Sequence, residues 1–355
     1  MILRQQLKIL WQLKIRVGQY FMSSRVDAAT ISRAGFLPVL VLLWMLCVTN
    51  CRAILFYDTG DSNHNTSAPT GIFADSGWQY QGMYGSFLGT MIAPQYFITA
   101  QHFGTQGSTF THSGIFNGSS DVTYNIDSTA NSGTGYWDVA GTDLRIFKVQ
   151  EFFPTYAPLY TGSLEVGMTM VTMGRGGPRG AEVHVSSILH GWESGAADGI
   201  ARWGSNTVSS IYSSALGDLI RANFSSSGTT EEATLSNGDS GGGVFVNDGG
   251  VWKLAGINYS IDGRFDRNNT TGDGSEFDAA LFDRGGLYQG SDAFGWAFIP
   301  DLPTDNPSSM YASRISTNAT TIYGITVVPE ASSSAMIMIA ALGAVLRRKR
   351  LTPQT

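Results

Sequence analysis

The chain has 355 residues, is 43% hydrophobic and 12% aromatic, and carries a formal net charge of −6, so it holds enough apolar material for one large or two ordinary domains. Of its 22 Lys/Arg and 28 Asp/Glu, seven and one fall in 1–53 and four and one in 326–355, leaving 11 and 26 in 54–325, a net charge of −15; a body that acidic is a poor partner for nucleic-acid phosphates. Both cysteines, Cys47 and Cys51, precede residue 54, which excludes a disulfide framework, a thiol nucleophile and a Cys-based metal site from the rest, and no cofactor or metal motif is expected.

Residues 1–35 are basic, with Arg4, Lys8, Lys14, Arg16, Arg25 and Arg33; an apolar run spans Phe36 to Thr49, and Cys51-Arg52-Ala53 follows. Basic region, apolar region and terminal small residue are the layout of a secretory signal peptide over 1–53, with Met22 as an alternative start. An uncleaved membrane anchor and a lipoprotein cysteine at Cys51 are the other readings of the same run. Cleavage after Ala53 would leave Ile54 as the new N-terminus.

Residues 57–84 read as loops with short strands. Gly85–Ile92 and Gln95–Thr99, joined at Ala93-Pro94, predict a hairpin whose second strand ends at Ala100-Gln101-His102. Asp143–Val149 alternates apolar and polar side chains, which predicts a half-buried strand. Further strands are expected over 168–173, 183–189, 244–246 and 251–257, the last two flanking the hairpin signal Asn247-Asp-Gly-Gly250. No helical period runs far, and 43 glycines favour turns, so the expectation is an all-β sandwich or barrel. Val327-Val-Pro-Glu330, an apolar run from Ala335 to Leu346 and Arg347-Arg-Lys-Arg350 close the chain. The run is short for a membrane span, and its basic end fits the positive-inside rule.

The chemistry-bearing stretch is Ser236-Asn-Gly-Asp-Ser-Gly-Gly-Gly243. A serine hydroxyl needs a base to take its proton and donors for the developing oxyanion. Glycines let backbone N–H groups approach that oxygen. Ser240 is thus the expected nucleophile, with the N–H groups of Gly238 and Ser240 as the oxyanion hole. Among His64, His102, His112, His184 and His190, only His102 ends a strongly β-like hairpin, and it is the candidate base. Its carboxylate is sought among Asp121, Asp127, Asp138 and Asp143. Asp143 opens a strand and is preferred, with Asp138 as runner-up.

The order His102, Asp143, Ser240 is that of chymotrypsin. Ile98-Thr-Ala-Gln-His102 resembles the "TAAH" motif of the trypsin/chymotrypsin family, Asp143-Leu-Arg-Ile-Phe-Lys-Val149 its "DIALLKL" strand, and Gly238-Asp-Ser-Gly-Gly242 is its "GDSGG". Leu254-Ala-Gly-Ile257 resembles the strand after the nucleophile loop. The resemblance covers about 85–260. It implies two packed, antiparallel, six-stranded β-barrels over 54–325, with the three residues in the cleft between them and peptide hydrolysis through an acyl-enzyme. Phe103 stands where the family usually has cysteine, and Thr234 where trypsin-type members carry the aspartate of the specificity pocket. That implies a small or apolar preference in the substrate, with Glu231 and Glu232 as flanking acids. The family also pairs a freed Ile/Val amine with the aspartate before the serine, which would make Ile54 the amine and Asp239 its partner.

The end of the chain, 326–355, resembles a PEP-CTERM sorting signal with a short membrane segment. This implies processing by an exosortase-like enzyme and a place outside or on the surface of a Gram-negative-type bacterium. A plain membrane tail is the alternative. The acidic loop 262–278 could offer calcium its oxygens, but its spacing is not that of an EF-hand, and a solvated loop is the expectation. The expected function is an exported serine endopeptidase acting on polypeptides. An inactive binding protein or an esterase on the same fold, and a structural coat protein, are the competing readings.

Overall fold

A computed structural model describes residues 54–327. The expected signal peptide and all but the first residues of the expected sorting signal lie outside the described residues. Antiparallel strands dominate. The first sheet runs, in spatial order, Val122–Asn125, Thr109–His112, Gln81–Tyr84, Phe87–Ala93, Tyr96–Ala100, Leu144–Lys148, Tyr136–Asp138. A bridge between Ile126 and Val149 curls it back on itself. Inside, Phe97 stacks between Phe110 and Phe147 at centroid distances of 4.3 and 5.1 Å; each such buried ring contributes about 1.5–3 kcal/mol through burial.

The second sheet runs Arg202–Thr207, Thr169–Gly174, Gly243–Asp248, Val251–Ile261, Ser309–Arg314, Gly217–Asn223, Ser210–Ser214. Arg202–Thr207 continues into Ser210–Ser214 across Val208 and Ser209. The Asn206 side chain donates to Asn223 O at 3.0 Å, which brings the two sides of this sheet together. The fold is therefore all-β, as expected, with two curled antiparallel sheets. Each has seven strands rather than six: the second because one bent strand counts twice, the first because Tyr136–Asp138 adds a short hairpin partner to Leu144–Lys148.

Between the sheets lies a shared core. Leu88, Ile98 and Ile146 come from the first sheet, and Val171, Met173, Phe245, Leu254 and Ile257 from the second. The helix Ala319–Thr326 seals it by inserting Ile322. A buried ion pair pins the last strand. Burial pushes the Glu165 carboxyl up, but Arg314 binds it through two bonds of 2.7 Å and Ser316 through one of 2.8 Å, and together they hold it below the usual carboxylate range.

The hairpin at Asn247-Asp-Gly-Gly250 forms as expected: Asp248 faces Val251, and Gly249 and Gly250 take φ of 63° and 89°. The expected strand over 183–189 does not exist as one piece. Arg179–Val185 and Ile188–Ser194 form a hairpin, with Ser186 and Ser187 in the tight turn at φ of 49° and 69°. Serine is an unusual choice for that conformation, so no turn signal marked it. Ile188–Ser194 also pairs with Ala279–Leu281. The strand Leu144–Lys148 is not half-buried: Arg145 is only 7% exposed, because its guanidinium lies 4.0 Å over the Tyr136 ring and pairs with Asp138. The 262–278 loop is not simply solvated either. Asp262 is buried on Arg284, the Ser309 N–H and the Tyr311 hydroxyl, and Asp266 is fully buried.

Candidate active site

His102 and Asp143 come from neighbouring strands of the first sheet. Ala100 faces Leu144 in the ladder, so the residues just past each strand end are held side by side. The Gln101 N–H donates to Asp143 O at 2.7 Å, continuing the ladder one step. Asp143 is 4% exposed and uses both carboxylate oxygens on one residue: Oδ1 accepts the His102 backbone N–H at 2.8 Å, and Oδ2 lies 2.7 Å from Nδ1. A carboxylate only accepts, so Nδ1 carries the proton, and Nε2 is left to accept. Ser240 Oγ sits 2.9 Å from that Nε2. Asp138, the runner-up, is elsewhere. It faces Arg145 across the strand pair and takes two bonds from its guanidinium, of 2.6 and 3.0 Å.

The imidazole is set between two rings. Phe103 meets it edge-on at 5.7 Å and Tyr259 at 5.8 Å. Phe103 in turn stacks on Phe87 at 4.1 Å with the rings within 4° of parallel. That stack ties the turn bearing His102 to the start of the neighbouring strand.

The loop that carries the candidate nucleophile leaves backbone donors free. Gly238 has φ of 102° and Gly241 of 83°, conformations that side-chain-bearing residues resist. The N–H groups of Gly238 and Ser240 find no acceptor among the described residues. The N–H groups that follow Ser240 are engaged. Gly241 N–H donates to Asn258 O, Gly242 N–H to Asp239 O, and Gly243 N–H to Gln81 Oε1. Asn258, fully buried after the apolar run Leu254–Ile257, donates to both Met173 O and Asp239 O. A Cβ on Gly241 would overlap Thr99 Oγ1 and the Leu88 carbonyl, with Phe103 close behind. Gly241→Ala is therefore expected to lose about 2–5 kcal/mol of stability, from overpacking plus positive φ. A denaturant titration would read this as a lower midpoint.

Asp239 is 1% exposed. Its Oδ1 accepts the Gly176 N–H at 2.6 Å, and its Oδ2 accepts the Ser236 N–H at 2.7 Å and hydroxyl at 3.1 Å. The Ile54 nitrogen donates to it as well. Burial outweighs these donors and pushes the carboxyl up to about 6.

A family model for trypsin matches residues 74–273, more than half of the chain. The chain belongs to the trypsin family. A search of the curated proteins finds no match. Thr234 is the residue the family resemblance implies for the specificity position. It lies in a two-stranded ladder opposite Leu55, 1% exposed, with its hydroxyl unpartnered among the described residues. The flanking acids are occupied elsewhere: Glu231 binds His64 and Asn65, and Glu232 is buried on the Ser225 and Thr229 N–H groups. Burial pushes Glu232 up to about 7. The remaining histidines do not approach Ser240. His112 is buried, and its imidazole is pushed down by burial.

Sequence reasoning missed Tyr259, Asn258 and the contact from Asn237 Nδ2 to Asp278 Oδ2 at 2.8 Å, which tethers the residue before Gly238. Asn258 alone carried a signal, as an Asn following the apolar run Leu254–Ile257.

Proposed function

We propose that this trypsin-family chain is an exported serine endopeptidase. The observation that supports it most is the unbroken hydrogen-bond chain from Asp143 Oδ2 through the imidazole to Ser240 Oγ, on a loop whose Gly238 and Ser240 N–H groups have no acceptor among the described residues. On this reading Ser240 Oγ attacks the scissile carbonyl carbon while Nε2 takes its proton. The carbonyl oxygen, now negative, accepts from the Gly238 and Ser240 N–H groups. Asp143 holds the tautomer and stabilises the imidazolium, which returns the proton to the leaving amine. Water then repeats the sequence on the acyl-enzyme. The uncharged Thr234 supports a small or apolar side chain beside the cleaved bond.

Export, cleavage after Ala53 and sorting at the C-terminus by an exosortase-like enzyme are part of the same proposal. The layout of 1–53 and of 326–355 supports them, as does one backbone detail. Ile54 is 1% exposed and sits at φ of 50°, a costly angle for a β-branched residue. A chain that starts at Ile54 has no φ there, so cleavage removes that strain.

The two aspartates separate this reading from a merely structural one. Asp143→Asn is expected to lower kcat on a peptide substrate by about 10⁴-fold, through the wrong imidazole tautomer. Asp138→Asn should leave kcat unchanged, since among the described residues its carboxylate bonds only Arg145. Fluorophosphonate labelling of Ser240 should follow the same pattern. Equal loss in both variants, or no labelling of the wild type, would defeat the proposal.

A further inference from the structure

We infer that His190, Asp283 and Asp301 form a binding site for a divalent first-row transition metal, of which Zn²⁺ suits the donors best. One ligand atom from each of the three lies within 4.8 Å of the others. They come from distant segments: His190 from the strand Ile188–Ser194, Asp283 from just past Ala279–Leu281, and Asp301 from beyond the hairpin Tyr288–Ser291/Gly295–Phe298.

Two of the three groups are held in place before any ion arrives. His190 is 3% and Asp283 7% exposed. Asp283 Oδ1 is committed, accepting the Gly285 N–H at 2.9 Å and the Asn306 N–H at 3.1 Å. Its Oδ2 has no hydrogen-bond donor among the described residues, although the side chain is nine-tenths buried, and it faces His190 Nδ1 across 3.6 Å. That gap is too long for a hydrogen bond. It is close to the ~3.3 Å between two ligands on a tetrahedral centre with bonds of about 2.0–2.1 Å. The same Nδ1 donates to the Asp283 carbonyl at 3.2 Å; metal binding would replace this bond, with the proton moving to Nε2. A cation is the partner that would join this free carboxylate oxygen, the imidazole and the exposed Asp301.

The donor chemistry narrows the ion. Calcium and magnesium take oxygen ligands and leave imidazole aside, whereas imidazole with carboxylates suits zinc and its first-row neighbours. Three protein ligands leave a fourth position for water. Because His190 and Asp283 are 93 residues apart, an ion here closes a long loop and acts as a structural cross-link in a chain whose only cysteines precede residue 54. The inference does not depend on the hydrolytic reading.

The test is thermal unfolding of the full-length chain, dialysed against EDTA and then given ZnCl₂. At zinc about 100-fold over its dissociation constant, the melting temperature is expected to rise by roughly 5–10 °C. Asp301 is exposed, so Asp301→Asn should fold and melt like the wild type without metal, yet gain nothing measurable from zinc. Co²⁺ should give the strong visible absorption of a four-coordinate site in the wild type and not in Asp301→Asn. No zinc-dependent rise in the wild type, an equal rise in Asp301→Asn, or an equal rise with CaCl₂ would each overturn the assignment.

Discussion

His102→Ala is expected to lower kcat for a chromogenic peptide by about 10⁵–10⁶-fold. The imidazole is the only base within hydrogen-bond reach of Ser240 Oγ among the described residues, and without it the hydroxyl stays protonated. The same change strips Asp143 Oδ2 of its donor, on a carboxylate that is 4% exposed beneath the imidazole in the native fold, a cost of up to about 1–3 kcal/mol, less whatever water recovers. His102→Gln separates the two effects. A side-chain amide can donate to the carboxylate and restore that stability, yet it cannot carry a proton from serine to a leaving group. Stability regained with activity still absent is the expected pair of results, from denaturant unfolding and from turnover. A His102→Gln variant retaining more than a few per cent of turnover would mean that the proton leaves Ser240 by another route.

The second large effect is expected at the other end of the nucleophile loop. A chain that begins at Ile54 places an ammonium, instead of a peptide N–H, against the buried Asp239. If that ion pair fixes the loop, an extension left in front of Ile54 should lower kcat/KM by about 10²–10³-fold, the loss typical of one misplaced oxyanion donor. Stability should report the same event. The Asp239 carboxyl is held up at about 6 in the fold, against 3.8 as its ordinary value. With its folded pKa raised, the proton stabilises the native state; that contribution is complete below pH 4 and lost as pH rises through 6, on the order of 3 kcal/mol. Glu232, pushed up to about 7, adds a loss of the same sign in both forms. In a chain beginning at Ile54 the ammonium would lower the Asp239 pKa and remove much of its share. Unfolding free energy measured from pH 4 to pH 7 should therefore fall more steeply for the extended chain than for the one beginning at Ile54. Identical slopes and identical kcat/KM would dismiss the role of the freed amine.

What could be read from the sequence was local. Asn247-Asp-Gly-Gly250 specifies its turn with residues that accept positive φ, and His102 could be singled out because a β-prone hairpin ends on it. Asp143 over Asp138 was a preference resting on one strand start. The geometry depends on something local reading cannot supply, the register that sets Asp138 against Arg145 and so diverts its carboxylate. Ser186-Ser187 bends the chain without a turn signature. The link from Asn237 to Asp278 and the rings around His102 join segments many residues apart. Thr234 could be placed by analogy with the family, but its pairing with Leu55 needs the second strand to be seen.

The face-to-face pair of Phe87 and Phe103 has a practical corollary. Where relatives place a cysteine beside the histidine, this fold is fastened by dispersion and burial, and thiol chemistry has nothing there to cut. Dithiothreitol should leave the folded body intact, and production in a reducing cytosol should not require an oxidising compartment for the core to assemble.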